Sequence, residues 1–151
     1  MITSKRILMA EDNPHDVELI LMALAEHRLA GDVVVVRDGV EALDYLSLCR
    51  RSAAAGNGLP VVILLDFKMP RLDGLEVLRA IKADSELKAI PVVMLTSSRE
   101  EHDLVRSYAL GVNAYVVKPV DFSEFVEAVK QLGAFWAIHN EPPPGSIRRT
   151  S

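Results

Sequence analysis

The sequence predicts an α/β fold in which five parallel strands form one sheet with helices on both faces. Two patterns support this prediction. Short, continuous runs of Val, Ile and Leu recur along the chain, as is typical of strands buried on both faces. Between them, apolar residues return every three or four positions, as on one side of a helix. Regular alternation of strand and helix favours a parallel sheet, and 151 residues suffice for one domain with a sizeable core.

The first half of the chain contains three strand–helix units by these criteria. We predict strands at 7–10, 33–36 and 61–65, and helices that begin at 14, span 40–48 and span 74–83. Pro14 suits the first position of a helix, because the N–H that proline lacks would be unpaired there. Residues 50–58, rich in Ala, Gly and Ser, are predicted to form a long exposed loop without a functional signal.

The second half adds two strands and two helices. We predict strands at 91–95 and 114–117 and a fourth helix over 100–110. Asp121 or Ser123 can cap the fifth helix, whose apolar stripe runs from Phe122 to Trp136. Right-handed crossovers then favour the flavodoxin-like (βα)5 doubly wound arrangement with strand order 2-1-3-4-5.

These elements predict a single domain followed by a tail. The domain spans residues 5–138, with its core in 5–133 and an extension of the fifth helix to 138. Residues 139–151 form a tail whose three consecutive prolines favour an extended or disordered chain.

Composition excludes several function classes. The net charge of −4 gives no support to nucleic-acid binding, which normally needs a basic surface. The single cysteine, Cys49, cannot form an internal disulfide, so the chain suits a reducing compartment. No signal peptide is recognisable and no apolar segment reaches the length of a membrane span, so we expect a cytoplasmic protein that does not enter a membrane.

Polar residues follow the predicted strands at one edge of the sheet. Glu11 and Asp12 follow the first strand, Asp66 the third, Thr96 the fourth and Lys118 the fifth. Because parallel strands end at a common edge, these side chains should converge. Three carboxylates at close range repel one another, and Mg²⁺ relieves such repulsion through hard oxygen ligands. The negative charge of a phosphoryl group would be met by Mg²⁺ and Lys118, and a carboxylate can accept such a group.

With these residues in place, the chain resembles the receiver domain (CheY-like) of bacterial two-component response regulators over roughly residues 5–133. Each motif is weak alone, but the set is specific. The matching motifs are Glu11-Asp12-Asn13, Asp66-Phe67-Lys68-Met69-Pro70 with Asp73-Gly74, Thr96-Ser97, and Tyr115-Val116-Val117-Lys118-Pro119.

The resemblance implies a role for each acidic residue. Asp66 would accept a phosphoryl group from the phosphohistidine of a cognate histidine kinase. Asp12 and Asp66, with the backbone carbonyl of Lys68, would bind Mg²⁺, and Glu11 would act through water. The chain would assist its own phosphorylation and dephosphorylation without being an enzyme in its own right.

The resemblance also implies a switch. Thr96 and Lys118 would bind the phosphoryl oxygens, and Tyr115 would turn inward as Thr96 moves toward the phosphate. No DNA-binding or catalytic output domain is recognisable, so we expect the signal to pass through protein contacts.

The C-terminal residues resemble those of stand-alone regulators associated with phytochrome histidine kinases. The shared features are the extended fifth helix, Trp136 and the proline run. This resemblance implies a phytochrome as the kinase and a homodimer formed through the fourth helix, the fifth strand, the fifth helix and the C-terminal extension.

Three alternatives accompany this interpretation. A phosphatase with an aspartyl nucleophile would typically carry an acid two residues later, where this chain has Lys68. A receiver-like binding module that is never phosphorylated would be expected to lack part of the Asp66, Thr96 and Lys118 set. A phosphorelay intermediate, which passes the phosphate to a histidine phosphotransfer protein, fits the sequence as well as a terminal regulator does.

Overall fold

The computed structural model describes residues 6–26, 32–52, 58–97, 100–101 and 114–118, together with positions 123 and 127. Within these ranges the chain forms five strands and three complete helices. They are β1 (Arg6–Ala10), α1 (Pro14–Glu26), β2 (Asp32–Val36), α2 (Gly39–Ser52), β3 (Val62–Asp66), α3 (Gly74–Ala83), β4 (Val92–Thr96) and β5 (Ala114–Val117).

The five strands form one parallel sheet in the order β2-β1-β3-β4-β5, which confirms the predicted fold class and topology. All five residues of β3 and of β4 are buried, as expected for strands covered on both faces. The register sets Asp66 beside Leu95 and Thr96 beside Val117, so the strands end at a common edge.

Two apolar layers cover the faces of the sheet. On one face, alternate strand residues such as Leu8, Ile63 and Leu65 pack with buried residues of α2 and α3. On the other face, Ile7 and Leu64 belong to a cluster that includes Ile20 and Leu24 of α1. Because successive side chains of a strand point to opposite faces, each central strand contributes to both layers and holds its polar end rigidly.

Helix α2 is longer than the sequence predicts. The predicted helix ends at Leu48 and the predicted loop begins at Arg50, whereas the observed helix continues to Ser52. Two observations agree with the longer helix: Cys49 is buried, and Arg50 forms an ion pair with Asp84. Residues 53–57 of the predicted loop lie outside the described ranges.

Helix α3 has the sequence and structure of a well-capped helix. The Asp73 carboxylate accepts a hydrogen bond from the Glu76 N–H at 2.9 Å, and the Glu76 carboxylate accepts one from the Asp73 N–H at 3.3 Å. Leu75, Leu78 and Ile81 are buried, as their spacing predicts.

The predicted C-terminal elements lie largely outside the described ranges. Glu100 and Glu101 are helical, in agreement with the start of the fourth helix, and positions 123 and 127 are helical in the fifth. The rest of both helices, Trp136, the domain limit at 138 and the tail are not described and stay predictions. Among the helices described, none is long and apolar enough to cross a membrane.

Candidate functional site

Three carboxylates meet at the carboxyl edge of the sheet, as the sequence predicts. Glu11 follows β1, Asp12 is the next residue, and Asp66 ends β3; one oxygen from each lies within 4.8 Å of the others. Glu11 is fully buried and Asp66 is 3% exposed, whereas Asp12 is exposed to solvent. The cluster is therefore buried at Glu11 and Asp66 and open to solvent at Asp12.

The Lys118 ammonium lies among carboxylates at this edge. Its Nζ is 2.5 Å from Glu11 Oε1, 3.0 Å from Asp16 Oδ2 and 3.2 Å from Asp66 Oδ1. The backbone fixes the start of this side chain, because the Lys118 N–H donates to the Thr96 carbonyl at 2.8 Å. Lys118 thus joins β5 to residues that follow β1 and end β3.

The pKa shifts reflect this crowding of charge. Burial raises the pKa of Asp66 to about 8, and the neighbouring Glu11 charge adds to the rise while Lys118 opposes it. Burial alone would lower the pKa of Lys118, but hydrogen bonds to Glu11 and Asp16 and the charges of Asp66 and Glu11 raise it instead. The Asp66 carboxylate is thus disfavoured by its surroundings, and added positive charge would favour it.

The carboxylate cluster fits a divalent cation with hard oxygen ligands. Glu11, Asp12 and Asp66 each offer one carboxylate oxygen within 4.8 Å of the other two, and Mg²⁺ typically binds one or two carboxylates and keeps several waters. The exposed Asp12 leaves room for such waters. An open groove of about 540 Å³ adjoins the cluster; its lining residues are Asp12, Phe67, Lys68, Met69, Pro70 and Asp73.

Thr96 lies on the fifth-strand side of Asp66. It is fully buried, and its hydroxyl has no hydrogen-bond partner among the residues that the structure describes. A buried hydroxyl that lacks a partner is unfavourable, so it is available to an acceptor that enters the site. The backbone of Tyr115 belongs to β5, but its side chain lies outside the described part of the molecule.

The loop between β3 and α3 is fixed by contacts that the sequence did not reveal. The Arg71 guanidinium donates two hydrogen bonds to Asp38 Oδ2, at 3.0 Å and 2.9 Å, although Arg71 has a φ of 67°. Asp38 also accepts from the Glu41 N–H at 2.8 Å and so caps α2. These contacts attach the loop that carries Lys68 to the beginning of α2.

Sequence reasoning also missed two carboxylates beside the site. Asp16 lies in the first turn of α1, the helix that directly follows the acidic pair, and this position could have indicated a place near the site. Glu101 accepts a hydrogen bond from the Ser97 N–H at 2.8 Å, and its Oε2 lies 3.7 Å from Lys68 Nζ. No local pattern signals the contact between Glu101 and Lys68, because it joins the start of the fourth helix to the loop after β3.

Comparison with known families agrees with this geometry. The sequence model of the response regulator receiver domain matches residues 7–130. The structure of the bacteriophytochrome response regulator AtBRR matches with a TM-score of 0.80 and 58% sequence identity, covering 91% of this chain and 98% of AtBRR.

Two further relatives are a phytochrome response regulator, RcpA, and a response regulator with a metal-bound structure, Rcp1. The crystal structure of the phosphorylated cyanobacterial phytochrome response regulator RcpA matches with a TM-score of 0.65 and 40% identity, over 90% of this chain and 89% of RcpA. Response regulator Rcp1 from Synechocystis sp. (strain ATCC 27184 / PCC 6803 / Kazusa) is 36% identical over 132 residues, 87% of this chain and 88% of Rcp1. The Mn²⁺-bound form of Rcp1 matches with a TM-score of 0.65 over 90% of each chain.

Proposed function

The chain belongs to the response regulator receiver domain family, and we propose on this premise that it is phosphorylated on Asp66 by a histidine kinase. The observation that carries the proposal is the position of Asp66, which lies beside two further acids and 3.2 Å from the Lys118 ammonium. The proposed phosphoryl transfer ends on a protein side chain, so the chain is a signalling acceptor rather than an enzyme with turnover on an external substrate.

In the proposed reaction an Asp66 carboxylate oxygen attacks the phosphorus of a phosphohistidine. The new O–P bond forms as the bond from phosphorus to the imidazole nitrogen breaks, and the imidazole keeps the bonding electron pair. Glu11, Asp12 and Asp66, with the Lys68 carbonyl, would hold Mg²⁺, which when bound offsets the negative charge of the carboxylates and phosphoryl oxygens. The chain's own contribution is mainly to position these groups.

Lys118 and Thr96 would bind the transferred group. The Lys118 ammonium already lies at the carboxylate to be modified, and the Thr96 hydroxyl, unpartnered within the described ranges, can donate to a phosphoryl oxygen. Movement of Thr96 toward that oxygen would couple the site to Tyr115 on β5, as the family resemblance implies.

We propose a phytochrome as the kinase that supplies the phosphoryl group. The support is the similarity to AtBRR and RcpA, which are phytochrome response regulators. In line with receiver domains generally, we propose that this exchange takes place in the cytoplasm and that the signal passes to other proteins by contact.

Incubation with acetyl phosphate and Mg²⁺ tests the proposed chemistry. We expect the intact mass of the wild-type chain to rise by that of one phosphoryl group, because the buried Asp66 lies next to the solvent-exposed Asp12. Omission of Mg²⁺ should greatly slow the reaction, since the carboxylates then repel the incoming anion. The absence of added phosphate on the wild type, or equal labelling of an Asp66→Asn variant, would overturn the assignment.

We also propose that the chain forms a homodimer through the surface that includes β5. Val117 of β5 is 42% exposed, which leaves an apolar residue on this surface. Sedimentation of the full chain should give a dimer, and a chain truncated before Gly133 should shift toward monomer because the extended helix is lost. Two monomeric species would contradict the proposal.

A further inference from the structure

Three carboxylates surround the Lys118 ammonium, and Asp16 accepts a hydrogen bond from it while Glu11 and Asp66 form ion pairs with it. An ammonium group has three N–H donors, and three carboxylate oxygens, from Glu11, Asp16 and Asp66, lie within 3.2 Å of Nζ. A phosphoryl oxygen that binds the Lys118 ammonium therefore competes with carboxylates that already contact it.

The three carboxylates differ in how readily they can be released. The side chains of Glu11 and Asp66 are 0% and 5% exposed, so water cannot easily replace the ammonium at either one. The Asp16 side chain is 22% exposed, and it stands on the first turn of a separate element, α1. Water can solvate Asp16 once Lys118 leaves it, which makes this contact the least costly of the three to break.

We propose that Asp16 is a positioning residue that competes with the phosphoryl group for the Lys118 ammonium. In the unphosphorylated chain Asp16 draws the ammonium toward α1 while Glu11 and Asp66 hold it at the site. When a phosphoryl group arrives, the donor directed at Asp16 turns to a phosphoryl oxygen. Asp16 thereby weakens the binding of the phosphoryl donor and shortens the lifetime of the phosphorylated state. The proposal rests on the proposed function of Asp66.

Replacement of Asp16 by Asn tests the competition. The variant keeps the size of the side chain and removes its charge, so Lys118 keeps its two ion pairs with Glu11 and Asp66 while the amide oxygen at position 16 holds the ammonium less strongly. At saturating Mg²⁺, we expect the acetyl phosphate concentration that gives half-maximal labelling rate to fall about three- to fivefold, and the phosphate to be lost more slowly by a similar factor. Asp16→Glu keeps the charge and should return both values toward wild type.

Glu18→Gln provides a matched control. Glu18 is an exposed acid on the same helix, and its replacement changes the net charge by the same amount as Asp16→Asn. We expect wild-type values for Glu18→Gln, because Asp16 contacts the Lys118 ammonium. No contact between Glu18 and Lys118 is found among the described residues. If Asp16→Asn and Glu18→Gln behave alike, or if Asp16→Asn labels more slowly than wild type, the competition is refuted.

A spectroscopic signature separates positioning from general structural effects. With ¹⁵N-labelled lysine, we expect the Lys118 ammonium of the unphosphorylated wild type and of Glu18→Gln to give a slowly exchanging signal that Asp16→Asn broadens or loses. An unchanged signal in Asp16→Asn would overturn the proposal. Failure of the wild type to accept phosphate would instead reject the proposed function, so the two failures are distinguishable.

Discussion

The Asp66→Asn variant is expected to be more stable than the wild type when no divalent cation is present. Asp66 is a buried acid, and burial together with the neighbouring Glu11 raises its pKa to about 8. The ionised form of Asp66 therefore destabilises the folded chain. Asparagine has nearly the same shape without the charge, and Lys118 can then pair with Glu11 and Asp16. We expect the free energy of unfolding to rise by about 1–3 kcal/mol.

Urea unfolding at neutral pH in the presence of a chelator measures this difference. Asp44→Asn is the control, because Asp44 is an exposed acid on α2 and its replacement should change stability little. Added Mg²⁺ should narrow the gap between Asp66→Asn and wild type, since the ion binds the intact cluster and stabilises the folded wild type by mass action. A midpoint for Asp66→Asn at or below that of wild type would refute the expectation.

The Gly74→Ala variant is expected to lose stability and reactivity together. A Cβ at position 74 would lie 2.4 Å from the Asp66 carbonyl oxygen and 2.9 Å from Phe67 Cα, and neither backbone atom can move aside without shifting the end of β3. We expect a loss of about 2–3 kcal/mol in the free energy of unfolding, as for an overpacked site. The same shift would displace Asp66, so labelling by acetyl phosphate should also slow.

Gly58→Ala separates steric crowding from backbone strain. Gly58 has a φ of +67°, but no atom of the described residues would lie within 4 Å of a Cβ added there. Its replacement should therefore cost only about 1 kcal/mol and leave labelling unchanged. The expectation would be wrong if Gly74→Ala were no more destabilising than Gly58→Ala, or if it were labelled at the wild-type rate. Either result would mean that the start of α3 can move away from the end of β3 at little cost.

The sequence predicted the fold and the meeting of the polar residues because both depend on local patterns. Continuous apolar runs mark buried parallel strands, and the residues that follow such strands share one edge of the sheet. The grouping of Glu11, Asp12, Asp66, Thr96 and Lys118 followed from these rules. The roles of these residues in phosphorylation stay proposals.

Features that depend on contacts between distant residues were not predictable. The last turn of α2 is held by the pairing of Arg50 with Asp84, 34 positions away. The pairing of Asp16 with Lys118 spans 102 positions, and no helical period reports such a contact. Arg71 adopts a left-handed φ, a conformation for which glycine is the usual residue. Its pairing with the distant Asp38 could not be read from the local sequence.

Under the proposed phosphorylation of Asp66, the Thr96 hydroxyl, which lacks a partner among the described residues, would supply free energy that couples the site to its surroundings. A buried hydroxyl in that state costs on the order of 1–3 kcal/mol, and a phosphoryl oxygen that accepts from it would recover that amount. Coupling between two sites is reciprocal. On this proposal, a protein that binds more tightly when Thr96 is engaged would also favour the phosphorylated chain by the same factor. Such a protein would shift the phosphoryl-transfer equilibrium from the proposed kinase toward this chain.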